Sequence, residues 1–311
     1  MEKQSTHLSI VSPVYQSEIL VDELVERLCS NLASITDQFE IILIEDGSRD
    51  GSWEKIVENC NKDKRIKGVQ LSRNFGQHSA IAAGLEMAKG EWVVVMDCDL
   101  QDRPEEITSL YHKAKEGYDI VLAQRIERRD NKPAQIFSNF FYRGLSLLSG
   151  SQYDSTIANF GIYHQKVIEP LLQIQSSLQY FPTMVNWVGF KKAMIPVEHA
   201  ERPRGKSSYN FRKKCSLALN IMLAYSDKPL KLIVAFGISV SLMAFAFAIV
   251  IAYKALHGTI SVVGYSSLII AVSFFSGVII SVLGVLGLYI GKIFHSIKSK
   301  PAYLIRKRLN D

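Results

Sequence analysis

Two long uncharged segments near the C-terminal end constrain the fold of this chain most strongly. Residues 232–253 and 260–291 contain no Asp, Glu, Lys or Arg. Each is longer than the roughly 20 apolar residues that an α-helix needs to cross about 30 Å of hydrocarbon. The sequence therefore predicts two transmembrane helices, at about 230–254 and 262–291, that form a hairpin within residues 229–292. The alternative is a pair of buried core helices, which seldom stay uncharged over this length.

Basic residues on both sides of these segments predict the orientation of the hairpin. Lys228 and Lys231 precede the first segment, and the connection between the segments carries only Lys254 and His257. Six more cationic residues follow the second segment: Lys292, Lys298, Lys300, Arg306, Lys307 and Arg308. Because Lys and Arg are enriched at the cytoplasmic ends of membrane helices, we expect both ends of the hairpin to lie in the cytoplasm.

The rest of the sequence divides into a large cytoplasmic domain at 1–210, an amphipathic helix at 211–228 and a basic cytoplasmic tail at 293–311. Residues 211–225 have apolar side chains at helical spacing beside Arg and Lys, which is typical of a helix in the membrane interface. Residues 133–149 show the same pattern. For both segments an ordinary half-buried helix is the alternative. The net charge of +6 suits anionic lipid and also suits phosphorylated substrates.

The first part of the chain alternates short apolar runs with helical patterns. The predicted strands are 8–14, 39–44, 66–71, 92–96 and 119–123, and the predicted helices are 21–35, 53–61, 77–88 and 104–115. This alternation predicts an α/β domain with a mostly parallel sheet and right-handed crossovers. Ligands of such sheets bind at the carboxyl ends of the strands. Six residues of special chemistry or conformation lie at these ends: Pro13, Tyr15, Asp46, Asp97, Asp99 and Arg125.

An acidic motif, MDCDLQD at 96–102, follows the fourth predicted strand. In an extended chain Asp97 and Asp99 point to the same side. Two carboxylates close together at the end of an apolar strand cost folding free energy unless a positive group binds them. Mg²⁺ or Mn²⁺ that bridges a diphosphate meets this need, because hard cations take carboxylate and phosphate oxygens. The sequence therefore predicts a metal site at Asp97 and Asp99; the alternative is a surface motif that arose by chance.

A basic loop, ERPRGKSSY at 201–209, precedes the predicted interfacial helix. Arg202, Arg204 and Lys206 surround Gly205, whose flexibility lets a loop approach a ligand. Arginine binds phosphate oxygens through two parallel hydrogen bonds, so we expect a phosphate site here. A solvated loop near anionic headgroups is the alternative. Arg143 has two equal interpretations, a contact with a lipid phosphate or a headgroup anchor.

Several motifs in the same order resemble glycosyltransferase family two. They are SIVSPVY at 9–15, IEDGSRDG at 44–51, RNFG at 73–76, GLEMAKG at 84–90 and MDCDLQD at 96–102. Within that family the chain looks like the polyprenyl-phosphate glycosyltransferases, which include dolichol-phosphate mannose synthases and the bacterial GtrB- and ArnC-type enzymes. The resemblance covers nearly the whole chain. It implies a GT-A type, Rossmann-like nucleotide-sugar-binding domain followed by a two-helix transmembrane hairpin.

The resemblance implies roles for residues at the donor site. Pro13, Tyr15 and Asp46 would contact the base and ribose of the nucleotide. Mg²⁺ or Mn²⁺ and the diphosphate would be held by Asp97 and Asp99. Two further residues complete this set: Gln101 beside the donor sugar and Arg125 facing phosphate.

The resemblance also implies an acceptor site. Asp154 matches an acidic position beside the acceptor, where it would orient the acceptor or act as a base. The loop at 201–209 matches the RxxGxSKY acceptor motif. Together with Arg125 and Arg143, three residues of that loop would hold the acceptor phosphate: Arg202, Lys206 and Ser207.

Three departures from the family pattern bear on donor specificity. Ser208 stands where the acceptor loop usually has Lys, and Glu45 replaces the first Asp of the usual DDGS. Ser17 stands where a Glu often follows the first strand, with Glu18 next to it. None of these positions changes the reaction type that the resemblance implies.

The resemblance implies inverting transfer of a sugar from a nucleotide-sugar, with UDP favoured, to polyprenyl (undecaprenyl) phosphate. The product would be a lipid-linked sugar for the cell envelope, made at the cytoplasmic face of the inner membrane by a multi-pass protein. Alternatives are a glycan or protein acceptor, or a non-catalytic membrane scaffold that positions a partner flippase. Gly284 and Gly287 would permit close helix packing and so a homo-oligomer. Nucleic acid is not an expected partner, and no GxGxxG follows the first predicted strand, which disfavours a dinucleotide enzyme.

Overall fold

The computed structural model describes residues 6–125, 157–174, 181–197, 228–257, 264–297 and 301–311. These residues fall into two compact units. The sheet unit contains the described residues up to 197 and those from 301 onward. The helical unit contains the described residues between 228 and 297.

One mixed sheet organises the sheet unit. Its described strands are β1 Leu8–Val14, β2 Phe39–Glu45, β3 Ile66–Leu71, β4 Trp92–Val95, β5 Ile120–Arg125, β6 Ile157–His164, β7 Lys192–Val197 and β8 Ile305–Leu309. They lie in the order β7-β5-β6-β4-β1-β2-β3-β8. Strands β6 and β8 are antiparallel to their neighbours, and the other six run in one direction. The predicted mostly parallel sheet is therefore confirmed, with two strands of opposite direction added to it.

Helices cover both faces of this sheet. They are α1 Glu18–Leu32, α2 Ser52–Lys62, α3 Gln77–Met87, α4 Ile107–Lys115 after a 3₁₀ turn at Pro104–Glu106, α5 Gln165–Gln173 and α6 Phe181–Trp187. Helices α1, α2 and α4 pack in one apolar cluster, and α3, α5 and α6 pack in the cluster on the opposite face. Strands β1 and β2 are buried along their whole length, which explains why they read as continuous apolar runs and not as alternating patterns.

The C-terminal residues form an edge strand. The sequence assigns residues 293–311 to a basic tail, whereas β8 pairs antiparallel with β3. The pairing shifts register between Gln70 and Leu71, so Ile305 packs on one face of the sheet and Leu309 on the other. The cationic residues between them are exposed. Charged side chains are usual on edge strands, where they discourage further strand pairing, and this is why the segment reads as a tail in the sequence.

The helical unit contains two long helices, α7 Lys228–Leu256 and α8 Tyr265–Ile297. They lie where the two uncharged segments were predicted to be helical. Counting only residues whose placement is described, none of the helices reaches the length and hydropathy needed to cross a membrane. The predicted amphipathic segments at 133–149 and 211–228 lie outside the described residues.

Candidate active site

The carboxyl ends of the central parallel strands bring the predicted donor-site residues to one edge of the sheet. Val14 and Glu45 pair at the ends of β1 and β2, so the loops that carry Tyr15 and Asp46 leave the sheet side by side. The backbone N–H of Asp46 continues this pairing by donating to the Val14 carbonyl at 2.9 Å. On the other side of β1, the N–H of Met96 donates to the carbonyl of Val11 at 3.1 Å and leads the chain into Asp97.

Asp46 is a buried carboxylate that is held by backbone donors. Its two side-chain oxygens accept from the N–H groups of Phe75 at 2.7 Å and Gly76 at 2.9 Å. Only 3% of Asp46 is exposed, and this burial raises the pKa of its carboxyl group, against the effect of the two hydrogen bonds. The Asn74 amide adds a bond to the Asp46 carbonyl at 3.0 Å. Asp46 is therefore fixed in place beneath the edge of the sheet.

Two glycines make this arrangement possible. Gly76 has φ +95° immediately before α3, in a region that L-residues rarely adopt. Gly47 has φ +67°, and a Cβ there would come within 2.4 Å of the Asn74 nitrogen. The loop after β2 and the loop before α3 can therefore approach closely enough for Asp46 to accept both bonds.

The loop after β1 presents an exposed aromatic ring. Tyr15 is 46% exposed, and the next residue, Gln16, has φ +51° although it is not glycine. The Gln16 N–H donates to Ser48 Oγ and the Ser17 N–H donates to Ser52 Oγ, each at 3.0 Å. These bonds hold the loop against the one that follows Asp46. An exposed ring beside a buried carboxylate suits a flat aromatic base and a hydroxyl-bearing sugar.

Two glutamates at or beside departures from the family pattern have structural partners here: Glu45, and Glu18 next to Ser17. A Glu45 carboxylate oxygen accepts a hydrogen bond from the N–H of Ser48, within the turn that follows β2. Glu18 accepts from the Gly51 N–H at 3.0 Å, and its own N–H donates to Asp50 Oδ2 at 3.2 Å. Both glutamates therefore stabilise the loops that follow β1 and β2.

The acidic motif after β4 has the alternation that the sequence predicts. Asp97 and Asp99 are partly buried, whereas Cys98 and Leu100 between and after them are buried. Leu100 has φ +58°, which turns the chain sharply. After this turn the N–H of Gln101 donates to Asp99 Oδ1 at 3.2 Å. Asp99 is thus oriented by its own loop.

Asp97 is oriented from a different element. Its Oδ1 accepts from the side-chain amide of Gln77, the first residue of α3, at 2.5 Å. The same motif is tied to the β1 loop, because Cys98 Sγ donates to Ser17 Oγ at 3.2 Å. Burial raises the pKa of the Cys98 thiol to about 11, so the thiol stays protonated at neutral pH. These bonds connect the loops that follow β1, β2 and β4 to the start of α3.

The donor set of Asp97 and Asp99 fits a hard divalent cation. Within the described part of the chain, no group of three or more His, Cys, Asp or Glu side chains forms a complete metal cage. Mg²⁺ and Mn²⁺ bind through one or two carboxylates when substrate phosphates and water supply the other ligands. Two oriented, partly buried carboxylates match that mode of binding.

The structure describes some of the remaining predicted site residues but not others. Pro13 is buried within β1, and Gln101 is partly buried after the acidic motif. Arg125 is the last residue of β5, which runs in the same direction as β4, and its backbone pairs with Val197. Five predicted residues lie outside the described residues: Arg143, Asp154, Arg202, Lys206 and Ser207.

Sequence reasoning missed three residues that shape the site: Phe75, Gln77 and Ser48. Phe75 and Ser48 act through their backbone N–H and side-chain hydroxyl groups, which carry no sequence signature of their own. Gln77 directly follows the RNFG segment, and its position at the first turn of a helix was the one available signal.

Comparison with known proteins gives matches over nearly the whole chain. The model of glycosyl transferase family 2 matches residues 9–171. The chain is 34% identical over 300 residues to the uncharacterized glycosyltransferase YkcC of Bacillus subtilis (strain 168), across 96% of this chain and 93% of that protein. It is 32% identical over 303 residues to undecaprenyl-phosphate 4-deoxy-4-formamido-L-arabinose transferase of Proteus mirabilis (strain HI4320), with the same coverage of 96% and 93%.

A solved structure agrees at the level of the fold. The crystal structure of a mycobacterial protein aligns with a TM-score of 0.50 at 13% identity, over 70% of this chain and 73% of that one. The GT-A type α/β fold is therefore supported by the matching family and by the mixed, mostly parallel sheet.

Proposed function

The chain belongs to glycosyl transferase family 2 and is a glycosyltransferase, and we propose that it transfers a sugar from a nucleotide-sugar to polyprenyl phosphate. The observation that carries this acceptor is the 32% identity, over 96% of the chain, to a transferase whose name specifies undecaprenyl phosphate. We take undecaprenyl phosphate as the first acceptor to test. The sugar is left open among glucose, a hexosamine derivative, mannose and an aminoarabinose-like sugar.

The donor would bind at the carboxyl edge of the sheet. Tyr15 offers an exposed ring for the base, and the carboxylate of Asp46 can accept hydrogen bonds from the base or the ribose. Pro13 shapes the end of β1 beneath them. A UDP-sugar is the proposed donor, on the resemblance to the bacterial enzymes.

The diphosphate would lie over the acidic motif. Asp97 and Asp99 would hold Mg²⁺ or Mn²⁺ there, and Gln101 would lie beside the donor sugar. When bound, such a cation stabilises the negative charge that develops on a leaving diphosphate. The residues of the chain contribute by orienting both carboxylates before the donor arrives, which avoids reorganisation during the reaction.

The acceptor phosphate would attack the anomeric carbon directly. A phosphate monoester is largely dianionic at neutral pH, because its second pKa is about 6, and it needs positioning more than it needs a strong base. Direct displacement inverts the configuration at that carbon. Asp154 would orient the acceptor, and five residues would hold its phosphate: Arg125, Arg143, Arg202, Lys206 and Ser207.

A membrane location is proposed for the helical unit. Large apolar side chains on both helices are exposed, among them Leu232 at 58%, Phe236 at 52% and Leu283 at 59%. Apolar surface of this kind is favourable in lipid and costly in water. Strands β7 and β8, which precede and follow this unit along the chain, belong to the same sheet. We propose a hairpin with both ends on the cytoplasmic side, on the basis of the cationic residues that flank the two helices.

The test is a reconstituted transfer reaction. Full-length protein in detergent is incubated with undecaprenyl phosphate, Mg²⁺ or Mn²⁺, and one sugar donor at a time from a panel of UDP- and GDP-sugars. We expect a single donor to give a lipid-linked sugar, identified by its mass. Transfer to a water-soluble glycan or to protein, with no lipid product from any donor, would contradict the proposed acceptor.

A further inference from the structure

We propose that Gln77 is a positioning residue that holds the carboxylate of Asp97 in the orientation required to bind the divalent cation, an inference that rests on the metal-dependent transfer proposed above. Gln77 would act through Asp97 and would not touch the donor itself. The Gln77 role follows from the contact between the two side chains and from where α3 begins.

The contact joins two elements that are distant along the chain. Gln77 opens α3, whereas Asp97 follows β4, and Nε2 of the glutamine donates to Oδ1 of the aspartate at 2.5 Å. A carboxylate offers about four lone-pair directions. One of them is taken by Gln77, and this hydrogen bond restricts the rotation of the carboxylate.

The chemical nature of the donor favours a role in metal binding over a purely structural one. The amide of Gln77 is neutral, so it stabilises ionised Asp97 without cancelling its charge. A Lys or Arg at position 77 would neutralise the carboxylate and compete with a cation for it. Carboxylates that bind metals are themselves held by hydrogen bonds from neighbouring groups, and Gln77 is such a group for Asp97.

The residues at the start of α3 also hold Asp46 in place. The N–H groups of Phe75 and Gly76 bind the carboxylate of Asp46, and the next residue along the chain binds Asp97. The same turn therefore positions the proposed nucleotide contact and the proposed metal ligand. A change at Gln77 alone leaves both backbone bonds to Asp46 in place, so the Asp97 contact can be tested separately.

The decisive measurement is the affinity of the full-length protein for Mn²⁺ at a fixed concentration of UDP, whose phosphates supply further ligands. It is obtained from the electron paramagnetic resonance signal of free Mn²⁺, with Mn²⁺ and UDP without protein as the blank. Gln77→Met removes the donor but keeps an unbranched side chain of similar length and helix propensity. Partners that hydrogen-bond a metal ligand are worth roughly 10- to 100-fold in metal affinity or activity. We therefore expect Gln77→Met to weaken Mn²⁺ binding by at least about 10-fold. Gln77→Asn, whose side chain is one methylene shorter, should also weaken Mn²⁺ binding.

The matched control is Gln38→Met. Gln38 is exposed and precedes β2 at the opposite, amino end of the strands. This variant should bind Mn²⁺ as the wild type does. An affinity for Mn²⁺ that is unchanged in both Gln77 variants, or a wild-type protein that binds no Mn²⁺, would overturn the proposal.

Transfer kinetics give a second readout that a merely structural role would not move. In Gln77→Met, the Mn²⁺ concentration for half-maximal rate should rise by about 10-fold, and excess Mn²⁺ should restore most of the wild-type rate. A loss of rate that excess Mn²⁺ does not restore would contradict the positioning role. If the wild type binds Mn²⁺ but glycosylates no polyprenyl phosphate, the proposed acceptor fails, and the Mn²⁺ affinities still decide the role of Gln77.

Discussion

Acidic side chains at the two ends of the sheet have different kinds of hydrogen-bond partner. At the amino end, Glu40 forms an ion pair with Lys67 at 2.7 Å and accepts from Ser9 Oγ at 2.5 Å and from the Lys89 N–H at 2.7 Å. At the carboxyl end, Asp46 and Asp97 are bonded by backbone N–H groups and by an amide, which carry no formal charge.

Acidic residues of one sheet can thus serve stability at one end of the strands and function at the other. The charge of Glu40 is cancelled within the fold, and the Ser9 hydroxyl that donates to it accepts in turn from the Gly90 N–H at 2.8 Å. That network binds β1, β2 and β3 together at their start. At the other end, neutral donors orient the carboxylates of Asp46 and Asp97. Removing a charge at the amino end should therefore affect stability, and removing one at the carboxyl end should affect transfer.

The largest expected effect is the loss of transfer in Asp99→Asn. The substitution removes one of two anionic oxygen ligands and keeps the shape of the side chain, so transfer should fall below detection while the fold is retained. Transfer is measured on purified protein, and circular dichroism reports the fold. Asp37→Asn, an exposed substitution before β2, is the matched control. Normal turnover by Asp99→Asn would refute the assignment of the metal site.

The next effect in size is a loss of stability in Lys67→Met. Removing the cation leaves Glu40 buried without its partner, which should lower the free energy of unfolding by about 3–5 kcal/mol. The double variant Glu40→Gln, Lys67→Met also removes the anion and should lose less. Denaturant unfolding measures both values, and the Michaelis constant for the donor should not change in either folded protein. Equal losses in the single and double variants would show that the ion pair does not set the stability of this end.

Sequence patterns predicted the part of the fold that local chemistry determines. The apolar runs placed β1 to β5 and the helices between them, and the acidic motif identified two aspartates that are both partly buried. They did not predict β6, β7 or β8. Strand β6 lies between β4 and β5, and β8 pairs with β3 from the far end of the sequence. Such pairings depend on contacts between distant segments, which no local pattern records.

The same limit applied to the site. Asp46 was predicted as a nucleotide contact, but its backbone donors Phe75 and Gly76 belong to a different loop. Gln77 was missed because its position at the first turn of a helix, directly after the RNFG segment, does not by itself distinguish it from a surface glutamine. The identities of the acidic residues were accessible from the sequence; the groups that orient them required the arrangement of β2, β4 and α3 in space.

A smaller effect is expected from the two glycines that shape the carboxyl end. Gly47→Ala puts a Cβ within 2.4 Å of the Asn74 nitrogen, so both strain and a clash would displace the loop that supports Asp46. At Gly76 a Cβ meets no atom within 4 Å, so only backbone strain of about 1–3 kcal/mol remains. We expect the Michaelis constant for the donor to rise in both variants, and more in Gly47→Ala. The reverse order in steady-state kinetics would mean that the turn before α3, and not the close approach of the two loops, controls Asp46.

The smallest expected effect is the pH dependence of donor binding. This effect separates the contribution of Asp46 to stability from its contribution to function. Burial raises the pKa of Asp46 above its ordinary value, so this carboxyl group takes up its proton at a higher pH than an exposed aspartate does. As pH falls, Asp46 is protonated at a higher pH in the folded protein than in the unfolded chain. Protonation of Asp46 therefore increases the free energy of unfolding as pH falls.

Donor binding should respond in the opposite direction, because a protonated Asp46 carries no negative charge to accept hydrogen bonds from the donor. The Michaelis constant for the donor should therefore rise as pH falls toward the raised pKa of Asp46. Asp46→Asn should bind the donor weakly with little pH dependence over the same range. The comparison is made by steady-state kinetics at saturating acceptor, with the unfolding midpoint followed in parallel. If wild type and Asp46→Asn change in parallel with pH, the dependence belongs to another group, and Asp46 would serve the fold as Glu40 does.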